Sequence, residues 1–184
     1  NGLWEIVNQS GEKINEKPIS EICSLGNDLL CIRDGEDYFV GYFQNEKLHI
    51  YRDHPFQEIQ RINGWDGTSV FKRAGKFGLI RLYSHQSNTP GRILTEAVYD
   101  SLFKAPLSYL YIFKENGRYG VMDSEGKVSL AAEFESVYHE QVTLGAGYPS
   151  YMLLYKTGEK VLVDSTGKRI NPEQARHIIR TVGL

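Results

Sequence analysis

Nothing in these 184 residues approaches the ~20 consecutive apolar residues of a membrane-spanning helix, and no charged-then-apolar leader opens the chain. A membrane span is therefore not expected. The first residue is Asn1 rather than Met, which reads as a processed or trimmed form and leaves both a cytoplasmic and an extracytoplasmic location open. Cysteine is as scarce. Cys23 and Cys31 match no zinc spacing and are too few for a disulfide framework. They read as two small buried apolar residues or, in an oxidising compartment, as one bridge. Asn8-Gln9-Ser10 fits a glycosylation sequon but sits inside a turn signal.

Chemical motifs are missing too. There is no Gly-x-Ser-x-Gly elbow and no phosphate loop ending in Gly-Lys-Ser/Thr; the Gly-Lys pairs at 75–76, 126–127 and 167–168 belong to hairpin turns. The five histidines, His49, His54, His85, His139 and His177, are scattered. Only His49 and His54 lie close, with Asp53 between them, and a metal there would need a third ligand from another part of the chain. His139-Glu140 lacks the second histidine of a zinc-protease helix. No catalytic residue, cofactor or metal site is expected. Nor is there an excess of one charge sign: a net charge of −2 and a pI near 6.2 argue against generic nucleic-acid binding.

What the chain does have is a composition that folds, with 41% hydrophobic and 24% charged residues. Twelve Tyr, eight Phe and eighteen Gly against six Pro are the ingredients of short aromatic strands joined by tight turns. They are arranged as a repeat. Gly35, Gly75, Gly117 and Gly158 are 40, 42 and 41 residues apart, each between two strand-like runs. Leu110–Lys114 and Tyr119–Asp123 flank the third glycine, and Leu29–Arg33, Thr68–Lys72 and Met152–Lys156 correspond to the first of these runs. Leu162-Val163-Asp164-Ser165-Thr166-Gly167-Lys168 repeats Val121-Met122-Asp123-Ser124-Glu125-Gly126-Lys127, a strand entering a polar hairpin turn. Leu3 to Ile14 supplies a partial fifth copy. The recurrent Asp123 and Asp164 read as turn-capping groups that accept backbone N–H bonds, not as paired catalytic carboxylates.

On these residues the chain resembles the WG-repeat proteins, tandem-unit proteins found mainly in bacteria. Arg118-Tyr119-Gly120 and Lys76-Phe77-Gly78 match the family's naming dipeptide with Tyr or Phe in place of Trp, Leu3-Trp4-Glu5 keeps the Trp, and Glu159-Lys160-Val161 and the Tyr38 region depart from it. The resemblance implies an architecture and carries over no catalytic residue.

Two features depart from the repeat. Ser84 to Gly91 is an insertion in the second copy, as expected of an exposed loop. At the C-terminus Asn171-Pro172 opens a helix with apolar Ala175, Ile178, Ile179 and Val182 on one face, fit to cover an open end of the core. Charge is uneven as well: residues 67–95 hold Lys72, Arg73, Lys76, Arg81 and Arg92 and no acid, whereas residues 1–66 carry a net charge of −6.

The expected fold is all-β, with tandem β-hairpin repeats and a C-terminal capping helix. An open twisted array is favoured over a closed propeller because each unit shows fewer than four clear strands. The organisation is a single repeat domain over 1–184, with a partial unit 1–34, units of about 35–74, 75–116, 117–157 and 158–170, and a helix over 172–182. The expected function is a non-enzymatic binding module for a protein partner. Alternatives are an immunity-type protein that neutralises a toxin, a carbohydrate-binding protein and a carboxylate-dependent hydrolase. The candidate partner site is Lys72, Lys76, Arg81, His85 and Arg92, where the acid-free stretch and the insertion coincide.

Overall fold

In a computed structural model of the chain, residues 3–8, 10–15, 18–26, 28–44, 47–61, 67–82, 91–105, 109–143 and 150–182 are described. The fold is all-β: four antiparallel sheets in chain order, none closed into a barrel, then one helix. The first sheet is β1 (Glu21–Gly26), β2 (Leu29–Asp34), β3 (Asp37–Gln44) and β4 (Lys47–Phe56); the second is β5 (Glu58–Ile59), β6 (Thr68–Arg73), β7 (Lys76–Arg81) and β8 (Arg92–Tyr99). The third is β9 (Ser101–Lys104), β10 (Leu110–Glu115), β11 (Arg118–Asp123) and β12 (Val128–Phe134). The fourth has β13 (Ser136–Thr143), β14 (Ser150–Lys156) and β15 (Glu159–Asp164), and helix α1 (Pro172–Val182) follows.

Three of the four sheets thus have four strands, which corrects the expectation of fewer. Fourth strands were hard to see because they pair across bulges. The register shifts between Tyr38 and Val40 on the β3/β4 side, and twice between Tyr119 and Met122 on the β11/β12 side. A shift of one residue swaps the faces and blurs the period-two pattern.

Each repeat glycine occupies the turn of a central hairpin. Gly35, Gly75, Gly117 and Gly158 have φ between 70° and 78°, where an L side chain is disfavoured. In two of these turns the preceding residue is left-handed as well, Ala74 at 49° and Asn116 at 50°, the type I′ pairing whose twist suits a right-twisted hairpin. The glycines therefore mark sheet centres, and the sheets run over 21–56, 58–99, 101–134 and 136–164. From one sheet to the next the chain passes through a single residue. Gln57, Asp100 and Glu135 each donate a backbone N–H to the carbonyl of Lys72, Lys114 and Tyr155, at 2.9, 2.8 and 2.7 Å.

The chain divides into two compact units, Asn1–Val98 and Tyr99–Leu184. In the first, Leu25, Cys31, Val40 and Phe56 of the first sheet share a core with Ile59, Phe71 and Ile80 of the second, and Phe56 meets Phe71 edge-on with centroids 5.1 Å apart. In the second unit, Ile112, Val121, Leu130 and Phe134 of the third sheet share a core with Leu154, Val161 and Val163 of the fourth. The other face of the fourth sheet presents Tyr151, Leu153 and Leu162 to Ala175 and Ile178 of α1.

Helix α1 starts where the sequence signals it. Asn171 Oδ1 accepts the N–H of Glu173 at 2.9 Å, Pro172 takes the first helical position, and Glu173 lies at the positive end of the helix dipole. Side chains of Ile179 and Val182 lie outside the described residues. Ile178 is 4% exposed, and among the described residues of α1 it and Ala175 are the buried contacts with the fourth sheet. Replacing Ile178→Ala is expected to lower unfolding free energy by roughly 2–3 kcal/mol, whereas exposed Gln174→Ala should leave it unchanged, as read by urea denaturation.

Candidate functional site

The turn at the N-terminus repeats two later turns bond for bond. Asn8 Oδ1 accepts the N–H groups of Ser10 and Glu12 at 3.0 and 2.9 Å. Asp123 Oδ1 does the same for Glu125 and Lys127, both at 2.9 Å, and Asp164 Oδ1 for Thr166 and Lys168 at 2.9 and 3.0 Å. These aspartates cap turns, as their recurrence suggested. The pairings match too. Val7 bridges Lys13 and Trp4 bridges Ile19, at the same offsets as Met122 with Val128 and Tyr119 with Phe134. Leu3 to Val7 is therefore a counterpart of β11, and Trp4 stands where Tyr119 stands.

This equivalence assigns the two sides of the strand. β11 is paired on one side with β12 and on the other with β10. Trp4 exchanges backbone bonds with Ile19 at 2.7 and 3.1 Å, so the backbone groups of Leu3, Glu5 and Val7 face the opposite way, and no described residue pairs with them. The side chains on this strand are unusually bare: Leu3 is 66%, Trp4 57% and Val7 54% exposed. Glu5 is held by Lys13 at 2.7 Å.

The complete sheets show what lies on that side. Next to each central turn a cation faces an aromatic ring across the strand pair: Arg33 over Tyr38 at 5.6 Å, Lys72 over Phe77 at 5.4 Å and Lys114 over Tyr119 at 5.1 Å. In the fourth sheet the partners are exchanged, with Lys160 over Tyr155 at 6.0 Å. Each such pair is worth about 0.5–1 kcal/mol at an exposed site. One position further on, Gly78 and Gly120 lie under phenyl rings. A Cβ on Gly120 would come within 2.3 Å of Phe113, and one on Gly78 within 2.6 Å of Phe71. Where the opposing residue is Ile32 or Leu154, the glycine is replaced by Phe39 or Val161. Tyr38 thus keeps the aromatic of the repeat's dipeptide, and the glycine is what that copy lacks.

The basic segment is distributed by the pleat. Lys72 pairs with Phe77 and Thr68 with Arg81, which puts Lys72 and Arg81 on the face of Val70 and Leu79, near opposite ends of the hairpin. Lys76 pairs with Arg73 on the other face, where Arg73 donates to the Pro55 carbonyl at 3.2 Å and lies over Phe56 and Phe71. Lys76 and Arg92 are exposed. His85 and most of the inserted loop lie outside the described residues.

Sequence reasoning missed a cleft in the first unit, of about 940 Å³, between the N-terminal hairpin and strands β2 and β4. Its lining is polar and mixed in charge, with Asn8, Glu12, Asn15, Arg33, Lys47 and Arg52 around Ile32 and Leu48. Arg52 is tied to Asp34 at 2.7 Å. No sequence signal pointed to it, because its residues come from segments that are unremarkable one by one. Cys23 and Cys31 sit directly opposite each other on β1 and β2, both as free thiols, the first exposed and the second buried. Burial, with Cys23 and Glu21 nearby, pushes the Cys31 thiol far above the usual thiol range. Among the described residues, no group of three or more His, Cys, Asp or Glu is placed to hold a metal ion, and no helix is long and apolar enough to cross a membrane.

Ionic ties mark the second unit. Glu133 on β12 binds Lys156 on β14 at 2.7 Å and also Arg169, and Glu135 binds Arg118 at 3.0 Å and the Thr157 hydroxyl. No protein-family model matches the chain, and no curated protein matches it significantly.

These ties set a pH dependence. The Lys156 hydrogen bond, aided by Arg169, holds Glu133 below the usual carboxylate range, and the Thr157 and Arg118 hydrogen bonds do so for Glu135. For Asp164 burial pushes upward, but the bonds from Thr166 and Lys168 outweigh it and the net direction is down. All three are depressed in the folded state, so their stabilisation is complete above the ordinary carboxylate values and is lost as pH falls through them towards the folded ones. The melting temperature is expected to fall on acidification through this window, less steeply in Glu133→Gln, as followed by circular dichroism.

Proposed function

We propose that the chain is a non-enzymatic repeat module that binds another protein. The observation that carries this reading is that Leu3 and Val7 on one face of a five-residue strand, with Trp4 on the other, are three of the seven large apolar side chains exposed among the described residues. Isolated apolar residues on a surface are ordinary, but three within five residues of one strand leave apolar surface that a protein partner can cover. The resemblance to WG-repeat proteins supports the same class of function, since tandem units present extended surfaces. A second docking area is proposed on the acid-free stretch 67–95 of the second sheet, through its exposed Lys76 and Arg92. An immunity-type protein that covers a toxin is a special case of this reading.

The cleft supports one other reading, a carbohydrate ligand, because its volume is that of a small-molecule site and its lining is rich in hydrogen-bonding groups. The two readings separate by experiment. The wild-type chain, Leu3→Asp/Val7→Asp and Lys76→Glu/Arg92→Glu are compared for the proteins they retain, after circular dichroism has shown each to be folded. At least a tenfold loss of the retained protein in one variant is expected; equal retention by all three overturns protein binding through these surfaces. Glycan binding that is present in wild type and lost in Arg52→Ala assigns the function to the cleft.

A further inference from the structure

We propose that Cys23 and Cys31 are a redox modification site, a pair of thiols that a small-molecule disulfide converts into one covalent bridge between β1 and β2. The chain has two cysteines in 184 residues, and the pairing of these strands sets them directly opposite each other. Residues so placed in an antiparallel pair have Cα atoms about 4.5 or 5.5 Å apart, according to whether they exchange backbone hydrogen bonds. Both separations lie inside the range of about 4.4–6.8 Å that a disulfide spans. The side chains already meet: the Cys31 thiol donates a hydrogen bond to the Cys23 sulfur.

The repeat supplies an internal comparison. Cys31 stands two residues before Arg33, the cation opposite Tyr38, as Val70 stands two before Lys72 and Ile112 two before Lys114. In the third sheet Ile112 is paired with Phe103. In the fourth, Leu153 stands two residues before Tyr155 and is paired with Tyr138. Both of those pairs join an aromatic residue to an aliphatic one. In the first sheet both members are cysteine at once. Packing at this position is met elsewhere without cysteine, and what two cysteines add is the capacity to bond to each other.

The two sulfurs take different parts. β1 lies at the edge of its sheet and Cys23 is exposed, whereas Cys31 is 4% exposed and belongs to the core shared with the second sheet. The Cys23 thiolate therefore attacks first. It bonds to one sulfur of glutathione disulfide, the glutathione S–S bond breaks, and one glutathione leaves as its thiolate. Cys31 then gives up its proton, attacks the Cys23 sulfur and expels the second glutathione. Two protein thiols lose two electrons and two protons, and one glutathione disulfide gains them to become two thiols. Burial disfavours the Cys31 thiolate, so the second step is the slower one and the mixed disulfide on Cys23 precedes the bridge.

The test exposes the intact chain to millimolar glutathione disulfide and follows it by intact-mass spectrometry and thiol titration. A glutathione adduct is expected first, then a monomer lighter by two hydrogens with no titratable thiol, reversed by dithiothreitol. Cys31→Val, the residue type that Val70 supplies in the second sheet, should stop at the adduct, and Cys23→Ser should react at least about tenfold more slowly than wild type. Mapping of the wild-type product needs no variant to fold: after cleavage at Asp28 the fragments holding Cys23 and Cys31 stay joined until a reductant parts them. Fragments that separate without reductant overturn the proposal, as does a wild-type chain that stops at the adduct or joins a second chain through Cys23. Equal reactivity of wild type and Cys23→Ser overturns it too, and so does retention of both thiols by the folded chain when the same chain in urea loses them.

Discussion

Register at the central hairpin is the constraint on which the rest of the structure depends. A two-residue turn with one left-handed glycine closes each of the four central strand pairs, and once it is closed every cross-strand partner is determined. In the second and third sheets cation therefore meets ring next to the turn, the phenyl ring lies over the following glycine, and the carbonyl of the cationic residue receives the N–H of Gln57 or Asp100, which joins one sheet to the last. The fourth sheet shows that the pair, not either position, is what the fold uses. Tyr155 and Lys160 exchange places across the strands and still stack within 6.0 Å.

Volume at the next position follows the same logic. Two phenylalanines on one strand oppose two glycines on the next, and smaller Ile32 and Leu154 oppose larger Phe39 and Val161. A smaller residue on one strand goes with a larger one on its partner, as expected where side chains interdigitate at high density. This is why an aromatic-glycine dipeptide is visible in only two copies. The dipeptide is one solution of a packing problem that the other copies solve differently.

Sheet type, the helix and the capping aspartates were legible because each rests on local chemistry: left-handed glycine, an Asx side chain reaching two and four residues ahead, proline at a helix start. Strand number was not, because bulges at Tyr38–Val40 and Tyr119–Met122 shift the pattern between faces. The acid-free segment was legible as composition but not as geometry. Lys76 and Arg81 are five residues apart on one strand and so point to opposite faces, a parity that a charge count ignores. The edge at Leu3–Val7 was legible as a strand. Which of its sides is paired is set by the Asn8 turn, which returns Lys13 to Val7, and is continued by Ile19, fifteen residues on from Trp4.

At the C-terminal end the exposed feature is a sheet face, and apolar surface is removed from water by laying Ala175 and Ile178 on Tyr151, Leu153 and Leu162, a non-directional solution that any apolar helix face of the right shape can provide. In the N-terminal hairpin the strand Leu3–Val7 is held by directional bonds instead, formed in register with Lys13 and Ile19. Asn15 shows how far the first unit goes towards satisfying its own backbone on the inner side: its Oδ1 accepts the N–H of Ile6 at 2.6 Å and its Nδ2 donates to the Trp4 carbonyl at 3.4 Å. A buried amide closing one side of a short strand is the directional counterpart of the apolar seal that α1 lays on the fourth sheet.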